Sequence, residues 1–184
     1  MYNPLPSDAV KISQREENEF LGITKSIGFV IILVTVFFAF FVLLSYYIYE
    51  CSVVRFSFPG LLLSFVAAIP HECLHAKAMG RGTADIYIVP RDLRAFVITA
   101  EPISRMRFVF MLLLPNVLLG WLPLFIWVAT PHHETYSNAL LTYAFFTIIM
   151  GVLDYLSTWD ILRNASPGSV IQFKDETAYW YLPK

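Results

Sequence analysis

The sequence predicts an all-α membrane protein, with four transmembrane helices and a small cytoplasmic β-hairpin between the second and third. Three observations carry this. The chain of 184 residues is 57% hydrophobic, above the roughly 45–50% of soluble domains. The excess is gathered into four long apolar runs, each near the roughly 20 residues that cross a hydrocarbon core. The 13 basic residues are sorted to alternate sides of those runs, as the positive-inside rule requires.

The first run, 26–49 ("SIGFVIILVTVFFAFFVLLSYYIY"), carries no charge. The second, 56–79 ("FSFPGLLLSFVAAIPHECLHAKAM"), is apolar for two thirds of its length and then turns polar. The third, 108–129 ("FVFMLLLPNVLLGWLPLFIWVA"), contains Pro115, Gly120 and Pro123. These predict a kink, which a membrane helix tolerates when neighbours satisfy the freed carbonyls. The fourth, 138–162, ends "GVLDYLSTWDIL". Buried core helices of a soluble protein are the competing explanation, but an uninterrupted first run and near-complete coverage of the chain weigh against it.

Counting Lys and Arg around these runs puts twelve of the 13 on one side, with Arg55 alone on the other. Both termini and the 80–106 loop are therefore expected in the cytoplasm. Within that loop, "ADIYIVP" and "RAFVITA" flank "RDL" and read as a hairpin at about 84–99. It either accepts an extended substrate by strand addition or covers the mouth of a site. The tail opens with turn residues in "NASPGS" and then offers another β-prone run. The expected organisation is one integral-membrane domain over 1–184: a cytoplasmic segment 1–25, a four-span core 26–162 and a cytoplasmic tail 163–184. The polar opening "MYNPLPSDAVKISQREENEFLG" predicts no cleavable signal. Cys51 and Cys73 fall near opposite faces in this topology and are expected to be free. No basic cluster interleaves with aromatics, so no nucleic-acid partner is expected.

The second run contains "HECLH" at 71–75. Residues four apart on a helix are separated by about 40° in projection, so His71 and His75 can share one ion. Glu72 is turned away by about 100° and can act on a water without binding the ion. This is the zincin pattern, with zinc as the expected metal and Glu72 as the base. Chance produces HExxH in a chain of this length roughly once in a hundred. Ionisable groups beside hydrocarbon mark function by default; a pair of interfacial histidines leaves Glu72 on an apolar helix unexplained.

A catalytic zinc usually takes three protein ligands. His132 and His133 fall in the loop on the other face. The fourth run offers Asp160 and Asp154. The second and fourth runs cross in the same direction, so their C-terminal ends meet at one depth; Asp160 lies at that end, and Asp154 about 9 Å deeper, facing another direction. A carboxylate near a helix C-terminus also opposes the macrodipole, which asks for a reason at Asp160. Asp160 is thus preferred as third ligand, with Asp154 as the alternative.

"HECLH", the hairpin loop, "LLLPN", "STWDIL" and the tail "PGSVIQFKDETAYWYLP" together resemble a small bacterial family of membrane zincin peptidases. The resemblance covers most of 57–184. The arrangement is also similar in outline to site-2 proteases, in which a helix-borne HExxH is completed by an acid from a later span. That resemblance implies His71, His75 and Asp160 as metal ligands and Glu72 as the base. It also implies a membrane-associated or transmembrane peptide as substrate, and residence in the cell membrane. "VLDY" at 152–155 only partly echoes the "LDG" of site-2 proteases, which keeps Asp154 in play. Two other classes remain: a non-catalytic membrane metal-binding protein for sensing or transport, which has no use for Glu72, and a metal-free scaffold, for which a complete HExxH is unexpected.

Overall fold

The computed structural model describes residues 4–12, 20–49, 55–80, 84–89, 94–99, 101–130, 135–174 and 177–183. Seven α-helices lie among them: α1 (Phe20–Tyr49), α2 (Phe58–Val66), α3 (Ala68–Met79), α4 (Arg105–Pro115), α5 (Leu122–Ala129), α6 (Thr135–Met150) and α7 (Val152–Asn164). A π-helical segment, Asn116–Trp121, joins α4 to α5. Six short strands complete the set: β1 (Val10–Lys11), β2 (Ala84–Val89), β3 (Arg94–Thr99), β4 (Ile103–Ser104), β5 (Val170–Lys174) and β6 (Thr177–Tyr181). The protein is mostly helical, as expected, and carries more sheet than one hairpin.

Two helices, Ile27–Ile48 and Arg105–Ala129, are long and apolar enough to cross a membrane, and α6 with α7 makes a third if that bent pair is one span. α2 and α3 are separated by a single turn residue, Ala67, and the backbone ladder runs through it: Ala67 N donates to Leu63 O and His71 N to Ala67 O. The predicted hairpin is present. β2 and β3 pair antiparallel from Ala84↔Thr99 to Val89↔Arg94. The connecting "RDL", His132, His133 and Cys51 lie outside the described residues; Cys73 is a free, exposed cysteine.

Contacts divide the chain into two compact units. The first takes Met1–Phe20, Glu72–Leu114 and Asp154–Lys184. Its sheet runs β1-β6-β5-β4, all antiparallel. The tail that sequence reading gave one β-prone run thus forms two strands. Its core gathers Met79, Phe108, Met111, Leu112, Ile161 and Ile171, and the Phe108 and Phe173 rings pack with centroids 5.6 Å apart. Arg107 at the start of α4 donates its Nε to Ala78 O at 3.2 Å, satisfying a last-turn carbonyl of α3. Gly80, at φ +96°, ends α3 in the left-handed conformation that favours glycine.

The second unit takes Leu21–His71 and Pro115–Leu153. Ser57 caps α2, its Oγ accepting from Gly60 N at 3.4 Å, and α6 holds the chain leading into it: Asn138 Oδ1 accepts from Arg55 N at 2.8 Å and Thr142 Oγ1 from Ser57 N at 3.0 Å. Gly60 lies so close to the Ala139 carbonyl that a Cβ would collide with it, the small-residue contact by which membrane helices approach. α1 meets this unit through aromatic rings, Phe37 with Trp121, Phe38 with Phe145 and Phe41 with Phe125. In the third run, where a kink was expected, the helix passes through the π-helical segment and runs on to Ala129. Pro123 has no N–H for the carbonyl four residues back, and Thr147 Oγ1 donates to that Leu119 oxygen at 3.0 Å.

Candidate metal centre

α3 reads "AIPHECLHAKAM". Pro70 sits in its first turn, and Lys77 in its last turn complements the helix dipole. On this helix His71, Glu72 and His75 place one ligand atom each within 4.8 Å of one another. His75 is buried, and the other two are half-buried.

The ring of His75 is held on both sides. Nδ1 lies 2.9 Å from Met111 O on α4. A carbonyl only accepts, so Nδ1 carries the proton and Nε2 presents a lone pair. Nε2 lies 3.7 Å from Asp154 Oδ1 in the first turn of α7. Two donor atoms sharing a tetrahedral zinc at about 2.0–2.1 Å stand roughly 3.3 Å apart. Their separation is thus only a few tenths of an ångström wider than a shared zinc would need, and the donor set of imidazole nitrogens and carboxylate oxygens is the one zinc takes. Histidine orientation by a carbonyl on the far nitrogen is the usual support for a metal-binding imidazole.

Among the sequence-predicted residues, the motif on α3 is assembled as expected. Asp160 is on α7, half-buried and nearly two turns beyond Asp154, about 9 Å along the helix. Neither aspartate is in the ligand-distance group of His71, Glu72 and His75. Asp154 reaches His75 Nε2 at 3.7 Å, and that contact favours the alternative, Asp154, as the third ligand to propose. Both aspartates lie on α7, after the turn at Gly151, and Asp154 stands in its first turn, where a carboxylate agrees with the dipole. Sequence reading missed the Met111 carbonyl entirely, since a backbone oxygen has no signature of its own.

No curated protein and no solved structure matches the chain. A family model described as "putative zincin peptidase" matches residues 64–168, more than half of the chain. That stretch holds α3 with its motif, the helix that orients His75 and both aspartates. A helix-borne histidine pair with a glutamate between, and a carboxylate beside the second histidine, is the constellation such a description calls for, and the chain belongs to this zincin peptidase family.

Proposed function

We propose that the protein is an integral-membrane zinc metallopeptidase that cuts peptide bonds at or within the cytoplasmic side of the membrane. The observation that carries the reading is the grouping of His71, Glu72 and His75 on one helix within the region matched by the family model. His71, His75 and Asp154 would hold the zinc. Bound there, zinc polarises a peptide carbonyl and acidifies water. Glu72 follows a ligand but projects about 100° away from it, which suits it to accept a proton from the attacking water and deliver it to the leaving amine. The Met111 carbonyl keeps His75 in one tautomer throughout, and burial of His75 limits competing water around its ring.

The membrane placement rests on two helices, or three with the bent pair, of sufficient length and hydropathy. We count the α2–α3 run as a further crossing, which makes four. The sorting of twelve of 13 basic residues to one side supports cytoplasmic termini. The substrate class that follows is a peptide segment embedded in or lying on the bilayer.

The test is metal analysis of detergent-purified protein, followed by incubation in lipid nanodiscs with a library of transmembrane peptides read by mass spectrometry. About one zinc per chain and defined cleavage products are expected. Zinc without any cleavage would favour a non-catalytic sensor or transport role, and absence of zinc would remove the reading altogether.

A further inference from the structure

The third apolar run holds two prolines, and each breaks the same kind of bond. A proline supplies no N–H to the carbonyl four residues back. Pro123 therefore frees Leu119 O, and Pro115 frees Met111 O. Neither oxygen is left bare. Thr147 Oγ1 takes the first at 3.0 Å, and His75 Nδ1 takes the second at 2.9 Å. A threonine hydroxyl in the first case only repairs a helix. In the second the donor is an imidazole whose other nitrogen faces Asp154 at 3.7 Å.

We infer that Pro115 is a positioning residue for the metal centre: by withholding its own N–H, it reserves the Met111 carbonyl for His75 and so fixes which nitrogen of that ring faces the metal. The inference rests on the zinc reading above. A histidine with no partner populates both neutral tautomers, and only the form protonated at Nδ1 offers Nε2 as a ligand. An interior proline costs a helix about 3 kcal/mol, and Pro115 is fully buried. The Met111 carbonyl, freed of the proline's own N–H and bonded to His75 at 2.9 Å, is a compensating gain. Were residue 115 an ordinary amino acid, its N–H would point along the helix axis at Met111 O and compete with the imidazole. Partners of this kind typically change metal affinity by about 10- to 100-fold.

Pro123 provides the internal control, because Pro123→Ala restores a backbone N–H in the same helix without touching the histidine. The experiment compares wild type, Pro115→Ala and Pro123→Ala, each as the full chain in detergent. Zinc affinity is measured by competition with a chromophoric chelator. The tautomer of His75 in metal-free protein is read from the nitrogen and carbon shifts of isotope-labelled histidine, with His75→Gln identifying the signal. We expect Pro115→Ala to bind zinc about 10- to 100-fold more weakly and to show a mixed His75 tautomer, while Pro123→Ala matches wild type in both. Equal affinity and an unchanged tautomer in Pro115→Ala would overturn the inference, as would equal losses in both variants. If wild type itself binds no zinc, the zinc reading fails first and the inference with it.

Discussion

His75 Nε2 and Asp154 Oδ1 face each other at 3.7 Å, from the middle of α3 and the first turn of α7. The two residues are 79 positions apart in the sequence, and the contact is the basis for proposing Asp154 rather than Asp160 as the third ligand. Removing a ligand of the metal lowers occupancy sharply; removing a carboxylate nearly two turns away does not. Asp154→Ala is therefore expected to abolish stoichiometric zinc, and Asp160→Ala to retain it, both measured by elemental analysis of folded, detergent-purified protein. The opposite pattern would return the ligand role to Asp160.

The break that frees Asp154 from the run of α6 depends on Gly151. A Cβ there would run into the Asn116 side chain, which is itself buried in the π-helical segment. Gly151→Ala is expected to destabilise the protein by about 1–3 kcal/mol, the usual cost of overpacking. Asn116→Ala in the same chain makes room, so the double variant should be more stable than additivity predicts. Thermal unfolding in detergent measures both. Additive losses would mean that the glycine serves the backbone alone.

How much of this was legible beforehand differs by residue. The motif was readable because a helix converts spacing directly into direction: four residues bring His71 and His75 to one side whatever surrounds them. Apolar length announced α1 and the Arg105–Ala129 helix for the same local reason, and alternation between turn residues announced β2 and β3. Two things were not readable. The approach of Asp154 to His75 joins two different helices across 79 positions of sequence, and spacing along one helix carries no information about it. The tail's second strand, β6, pairs with β1 from near the other end of the chain, and β5 pairs with β4 from its middle; periodicity carries no information about such partners. The prolines were legible as gaps in a helix ladder; which donors would meet the carbonyls they leave was not.

The proposed topology makes a prediction of its own. With twelve of 13 basic residues on one side, a cysteine placed at position 90 should be labelled by an impermeant maleimide only after the cytoplasmic face is opened, in a background lacking Cys51 and Cys73. A cysteine placed at position 132 should be labelled from outside in intact cells. Labelling of position 90 in intact cells would invert the orientation and move the metal centre to the other face of the membrane.

The central claim is that Glu72 moves protons while the histidines hold metal, and one substitution separates the two roles. Glu72→Gln keeps the size of the side chain and removes its basicity. The measurement is zinc content and peptide cleavage on the same nanodisc preparation, wild type beside variant. The account predicts zinc at wild-type level and cleavage lowered about 10²–10⁴-fold, the usual worth of a general acid–base group. Cleavage by Glu72→Gln at the wild-type rate would contradict it.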